Sequence, residues 1–372
     1  MLMIPQRYQQ QQASMLRACC CAASVFVLTG DGAIDRQLAS LNPITGAKIW
    51  ETAILGVASD TVQRIIKTST GRLYARRNAK IEEYDISTGN VGTSITTGSN
   101  TSTWGIAANG EKINIVFNSG GTIASRRYNA DLTLDWSFAH ATSTDILGTI
   151  YVNPNGVTYW HISGAIDSLS DPLVRSLTNA GALSYLLLSP ASQPYPDGYK
   201  KQFGFMHGDA VGDYLYVTIF EALPLTFPNK MNLYRINKSD GTFADTNTTC
   251  FKTGQDGSTV LHRTNRCANG SVYMPGDYGS NGINISLFRV SLDLATQIAT
   301  FNSGSQIVAV DSLSNGDVIV TGTTSTTWPG SLGVSANTWC LSNDLATVKW
   351  AQLVGTAAYG GLSVASSYRP NS

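Results

Sequence analysis

The feature that most constrains the fold is a ten-residue hairpin found near both ends of the chain. Leu41-Asn42-Pro43-Ile44-Thr45-Gly46-Ala47-Lys48-Ile49-Trp50 returns as Leu341-Ser342-Asn343-Asp344-Leu345-Ala346-Thr347-Val348-Lys349-Trp350. Each copy is an apolar strand, a polar turn and a second strand ending on a large apolar residue, which is the pattern of an antiparallel hairpin. The same punctuation recurs at Thr45-Gly46, Thr88-Gly89, Asp131-Leu132, Ala180-Gly181, Asp240-Gly241, Asp293-Leu294 and Asp344-Leu345, in steps of 43, 43, 49, 60, 53 and 51 residues. A four-stranded repeat of roughly 40–50 residues with insertions has this period.

A second series alternates with the first. Thr70-Gly71, Asn109-Gly110, Asn155-Gly156, Gly212-Asp213, Asn269-Gly270 and Asn315-Gly316 each precede a β-rich run such as Val157-Thr158-Tyr159-Trp160. Asn-Gly accepts the positive φ angles of two-residue hairpins, so each series marks antiparallel neighbours. Two hairpins per repeat predict an all-β fold, a seven-bladed β-propeller of four-stranded antiparallel blades over residues 23–372, preceded by an N-terminal arm over 1–22. A β-helix would need shorter coils and parallel strands. No inner turn precedes the first outer turn, and Gly361 to Ser366 reads as an inner strand with nothing after it to pair with. The expectation is that this last strand pairs antiparallel with Ser24 to Leu28 and closes the ring, leaving no free inner edge.

Charged residues make up 13% of the chain and cancel to a net charge of zero, so neither nucleic acid nor an anionic membrane is an expected partner. The apolar runs fall well short of the roughly 20 residues of a membrane span. Arg17 followed by Ala18 to Leu28 has the outline of a secretory signal, but the polar leader with Gln9 to Gln12 is long and Ser24 to Leu28 is needed as a strand. Cys19, Cys20, Cys21, Cys250, Cys267 and Cys340 show no zinc-type spacing and read as free thiols.

The motif Asn42-x-x-Thr45-Gly46-x-x-x-Trp50 resembles the repeat of the PQQ-like (quinoprotein-type) β-propeller family, in which an Asp, a Thr-Gly turn and a Trp four residues later recur blade by blade. The second copy keeps Asp85, Thr88 and Gly89 but has Thr93 for the Trp, and Trp136 and Trp350 follow Asp-Leu turns. The resemblance implies that Trp50, Trp136 and Trp350 dock between neighbouring blades and that Gly46 and Gly89 serve the turns. A quinone enzyme of that family would add an axial calcium site and two adjacent cysteines against the cofactor. Here adjacent cysteines occur only at Cys19 to Cys21, with no acids beside them, so no quinone, calcium or other cofactor is expected.

His140, His161, His207 and His262 stand alone, without metal-binding spacing, and His207-Gly208-Asp209 is the most site-like of them. Gly-x-Ser-x-Gly, phosphate-loop and dinucleotide motifs are absent. Glu82-Glu83 reads as one exposed and one half-exposed strand residue. Trp104, Trp160, Trp328 and Trp339 lie outside the hairpin-end position and are candidates for stacking on a sugar, with packing as the alternative. Loops at Pro190 to Tyr199 and Pro224 to Asn229 suit binding specificity. The expectation is a non-enzymatic structural or interaction propeller that meets protein subunits of an assembly through its arm, with a virion (phage tail or head) as the assembly. A secreted or surface propeller binding glycans or proteins is the alternative, and a propeller hydrolase or lyase stands behind it.

Overall fold

The computed structural model describes residues 24–30, 35–54, 64–77, 80–97, 102–119, 122–142, 147–162, 172–188, 200–208, 212–222, 230–245, 250–252, 266–268, 270–277, 285–303, 307–325, 335–357 and 360–366. They form seven antiparallel sheets and no helix. Named from the inner strand outward, blade 1 is Gly360–Ala365, Val25–Gly30, Arg36–Leu41 and Lys48–Ile54. Blade 2 is Arg64–Lys67, Leu73–Arg76, Lys80–Tyr84 and Val91–Thr96, and blade 3 is Ser102–Asn109, Lys112–Ser119, Thr122–Tyr128 and Leu134–Thr142. Blade 4 is Leu147–Val152, Thr158–Ile162, Pro172–Leu177 and Leu183–Leu188. Blade 5 is Lys200–Gly208, Tyr214–Ala222, Lys230–Asn237 and Phe243–Asp245, with Cys250–Lys252 also on the third strand. Blade 6 is Arg266–Ala268, Ser271–Asp277, Ile285–Ser291 and Gln297–Asn302, and blade 7 is Ile307–Ser312, Val318–Ser325, Ala336–Leu341 and Val348–Gln352.

The inner strands pack in sequence, each on the next, and the cycle returns from blade 7 through Gly360–Ala365 to blade 2. Blade 1 is therefore built from both ends of the described chain, with Phe26 opposite Ala365 and Val27 opposite Val364. The core lies between blades. Seven hydrophobic clusters occupy the seven interblade interfaces, one each. Strand alternation explains this, since successive side chains of every inner strand face opposite neighbours.

The seven outer turns share one backbone feature. Gly46, Gly89, Leu132, Gly181, Gly241, Leu294 and Leu345 all have φ between 61° and 82°, and the three leucines are the only described non-glycine residues with positive φ. What fills the space beside the turn separates Gly from Leu at six of the seven, Gly241 being the exception. A Cβ on Gly46 would come 2.6 Å from the Trp350 ring, one on Gly89 2.6 Å from Trp50, and one on Gly181 2.7 Å from Trp136. In each pair the Trp belongs to the preceding blade. Blades 2, 4, 5 and 6 carry no Trp on the outer strand; after blades 2, 5 and 6 the turn of the next blade supplies a buried leucine instead, whereas after blade 4 it keeps Gly241. Leu132 enters the cluster of Tyr74, Ile81 and Ile95, Leu294 that of Tyr216 and Leu233, and Leu345 that of Tyr273 and Phe301. The left-handed conformation costs a leucine about 1–2 kcal/mol, which burying its side chain, at about 1.5–3 kcal/mol, offsets.

The Trp-less blades also use a tyrosine on the second strand. Tyr74 donates to Ala130 O at 2.7 Å, Tyr216 to Leu292 O at 2.8 Å and Tyr273 to Asn343 Oδ1 at 2.6 Å, each in the outer turn of the next blade. In blades 1, 3 and 7 that register position holds Phe26, Asn114 and Ile319. In blades 1 and 7 the Trp makes the link, Trp50 Nε1 donating to Ile86 O at 2.7 Å and Trp350 Nε1 to Pro43 O at 3.0 Å, whereas Trp136 Nε1 of blade 3 is buried without a hydrogen-bond partner.

The expectation of two-residue turns fits the pairing of Ala268 with Ser271 around positions 269–270, and is corrected at three other inner hairpins. The loops between Thr68 and Arg72, Asn153 and Val157, and Leu313 and Asp317 hold three residues, closed by amide-to-carbonyl bonds of 2.7 to 3.0 Å. Only the glycine in each is left-handed. A type I turn followed by a left-handed glycine is the three-residue solution, and it leaves the asparagine in ordinary backbone space.

Candidate functional site

Antiparallel blades put both tight-turn series at one end of the propeller. Lys238 N of an outer turn bonds Asp213 O of an inner turn at 2.7 Å, and Ser69 N bonds Gly110 O of the next blade at 3.1 Å. The second-to-third and blade-to-blade connections leave from the opposite end.

At the turn end, polar groups are spent on joining turns. Glu111 accepts from Ser69 Oγ, Thr70 N and Thr70 Oγ1 at 2.6 to 2.8 Å across a blade boundary, and these bonds hold its carboxyl below its usual range although burial opposes them. Asp317 takes Lys349 Nζ at 2.7 Å. Arg127 bonds Asp135 and Asn179, while Arg235 and Arg289 reach carbonyls of the next outer turn.

His207 is the nearest approach to a site here. Its ring lies 5.0 Å from that of Tyr151, which stacks at 6.1 Å on Tyr159, with Lys238 Nζ 5.7 Å from the Tyr151 ring. Lys238 Nζ is bonded to Gly212 O at 2.6 Å, and burial pushes the Tyr159 phenol up to about 12. The group joins blades 4 and 5, and it offers neither nucleophile nor metal cluster among the described residues. Asp209, His262, Trp328, Cys19, Cys20, Cys21 and the loops at Pro190 to Tyr199 and Pro224 to Asn229 lie outside the described residues, as do the side chains of His140, His161, Trp104, Cys250 and Cys267.

The remaining candidates are structural. Trp160 and Trp339 are buried and cannot stack on a sugar. Cys340 is buried and free, its thiol pushed up to about 12 by burial, so it is unreactive. The reading of Glu82-Glu83 as surface residues is corrected. Glu82 is buried, accepting from Arg77 Nε at 2.7 Å and Tyr84 Oη at 2.8 Å, and Glu83 takes a two-point bond from Arg72 at 2.6 and 2.7 Å. Strand alternation alone places one Glu outward, but in a propeller both faces of the sheet are interblade faces.

A charged group between blades 2 and 3 departs from this economy, and sequence reasoning missed it. Arg76 ends the second strand of blade 2 opposite Arg64 on the inner strand, and it is 2% exposed. It has the same parity as Tyr74, so both arginines face blade 3. Arg76 has no hydrogen bond or ion pair among the described residues, and its Nε is buried without a partner. Burial, reinforced by Arg64, pushes its guanidinium well below the ordinary arginine value, and burial lowers Arg64 to about 10. From blade 3, Arg126 lies 4.8 Å over Phe117 and gives Nη1 to Thr97 O at 2.6 Å, while its Nε and the Thr97 hydroxyl are buried without partners. An unpaired buried charge costs several kcal/mol, so this cleft is chemically incomplete without an acceptor. The sequence signal is the pair Arg76-Arg77, whose members strand alternation sends to opposite faces; only Arg77 meets a carboxylate.

Among the described residues no helix is long and apolar enough to cross a membrane. No family model and no curated protein matches the chain. Solved structures do. A protein from Lactobacillus plantarum is similar with a TM-score of 0.57 at 13% identity, over 92% of this chain and 98% of that one. A functionally unknown protein from Desulfotomaculum acetoxidans gives 0.52 at 12% identity, covering 92% and 99%. A europium-containing methanol dehydrogenase gives 0.52 at 9% identity, covering 92% and 78%. At such identities the likeness concerns the fold alone, and it supports a PQQ-like β-propeller fold for this chain.

Proposed function

We propose that the chain is a non-enzymatic propeller acting as a rigid interaction module, with its partner bound at the end opposite the tight turns. The observation that carries this is the contrast between the two ends. The turn end is closed by short loops whose polar groups bond one another. At the other end the connections run to residues 163–171, 189–199, 253–265 and 326–335. Scaffolded loops of uneven length are where binding residues are carried, and the loops at Pro190 to Tyr199 and Pro224 to Asn229 both leave from strands at this end. The low charge and Ser/Thr/Asn/Gly-rich composition support a subunit of an assembly met through polar and shape contacts, with a virion as the assembly proposed.

Cross-linking mass spectrometry on the native complex tests the assignment. Lys80, Lys200, Lys201 and Lys230 begin strands at the open end, whereas Lys48, Lys238 and Lys349 flank outer turns. Intermolecular links are expected at the first group. Links concentrated on the second would refute the assignment of the face.

A further inference from the structure

We infer that the cleft between blades 2 and 3 binds a small oxyanion, held by Arg76 with Arg64 and Arg126. Arg76 and Arg64 are cross-strand partners on one side of their sheet, so their side chains enter the same interblade space. Arg76 is 2% exposed and its guanidinium meets no acceptor among the described residues. On the facing blade Arg126 spends one nitrogen on Thr97 O and leaves Nε buried, and Thr97 adds a buried hydroxyl without a partner. The unsatisfied atoms of this cleft are thus hydrogen-bond donors, or a hydroxyl able to donate, and no described carboxylate is bonded to Arg76 or Arg126.

The donor type indicates the ligand. A guanidinium presents a planar fork of N–H groups that matches two oxygens of one carboxylate, phosphate or sulfate, and such charge-assisted pairs are shorter and stronger than neutral ones. A halide offers one centre and no fork. A water can accept from one arginine but leaves the charge uncompensated. The space between blades is lined by Ile81, Ile95 and Phe117, so the anion is of small-molecule size with little room for a bulky substituent. Position adds to this. Arg76 ends its strand and Arg64 begins one, both at the end of the propeller where the long connections leave, so the site lies beside the face proposed for partner binding but does not depend on that proposal.

The test is thermal unfolding of the full chain titrated with sodium phosphate and, separately, sodium acetate, against sodium chloride at matched ionic strength. The wild type is expected to show a saturable rise in Tm of about 2 °C or more in at least one oxyanion over chloride. Arg76→Met, which keeps the length of the side chain and removes the fork, is expected to lose that rise. Its Tm in chloride is expected to be at or above that of the wild type, because a buried charge has been removed. No saturable difference between oxyanions and chloride in the wild type overturns the proposal. A rise retained in full by R76M overturns it as well. Should R76M fail to fold, Arg76→Lys keeps a cation without the fork and is expected to need roughly tenfold more anion for the same rise, an unchanged titration again being refutation.

Discussion

Replacing Gly181 by Leu tests the reasoning about the outer turns most directly. The turn Thr178 to Ala182 and the turn Asn129 to Thr133 are both five-residue hairpins with the left-handed residue fourth, yet one carries Gly181 and the other Leu132. The difference lies upstream, since the first faces Trp136 and the second faces a blade without Trp. In G181L the new Cβ starts 2.7 Å from Trp136 Cδ2 at a φ of 82°. Left-handed strain of about 1–2 kcal/mol and overpacking of about 1–3 kcal/mol give an expected loss of roughly 2–5 kcal/mol. Trp136→Ala alone removes a half-buried indole and should cost about 3 kcal/mol. Combining the two recreates the arrangement at Leu132, a leucine entering the space where no indole stands. The double variant should therefore lose less than the sum of the singles by about 1–3 kcal/mol. Equilibrium unfolding in urea gives all four stabilities. Strict additivity, or a double variant worse than the sum, would refute the idea that the turn residue answers to the preceding blade.

Other consequences follow from the same structure. Tyr216→Phe should cost about 1 kcal/mol or less, measured by the denaturant midpoint, because Arg235 Nη1 also donates to Leu292 O, at 3.4 Å, and keeps that carbonyl satisfied. The carboxyls of Asp85, Asp131, Asp240, Asp293 and Asp344 are held below their usual range, by the Ser87, Thr133, Ser291 and Ser342 hydroxyls for all but Asp240, where the Thr242 amide leads. The folded state binds those protons less readily than the unfolded chain, so this stability is complete above the ordinary carboxylate range and falls as pH drops through the folded values. The Tm between pH 7 and 3 should fall, and Asp85→Asn should flatten its share, since Asn42 already supplies the same acceptor to Ile44 N at 2.9 Å. Truncation at Thr356 removes Gly360–Ala365 and bares the edge of Val25–Gly30, so cooperative unfolding should be lost or aggregation appear; a melt like that of the full chain would count against it.

The blade count was legible in the sequence because each outer turn needs one left-handed residue, and a Gly or an Asp-Leu pair announces it. The reason for Leu in three turns was not. Read within its own blade, Leu132 is only a departure from Thr-Gly, whereas the space it fills is left by the missing Trp at Thr93 in the blade before. Glu82 was misread for a related reason, since alternation distinguishes two faces of a strand but does not say that both are buried. Arg76 was invisible because a basic residue at a strand end reads as solvated until the neighbouring blade is in place. Whether it has a partner depends on residues far away in sequence.

The seam of the ring shows that Arg76 is not a symptom of loose packing. Where chain ends must meet, unsatisfied groups are most to be expected, yet the buried polar atoms on the strands that join the two ends find partners. Asn337 donates to Val354 O at 2.8 Å and accepts from Val354 N at 3.0 Å, and Thr29 Oγ1 reaches the same carbonyl at 3.2 Å. Ser366 gives both its amide and its hydroxyl to Asp311 at 2.7 Å, and Ser363 Oγ accepts from Ile65 N at 3.3 Å to tie blade 1 to blade 2. A fold that satisfies these atoms across a break in the chain has the means to pair one arginine within a continuous stretch. Replacing Arg76 by a leucine or methionine would be the cheaper solution, since an apolar side chain of similar size removes the buried charge altogether. A buried arginine with no partner among the described residues, facing an Arg126 Nε and a Thr97 hydroxyl that lack one as well, is better explained by an acceptor that comes from outside the chain.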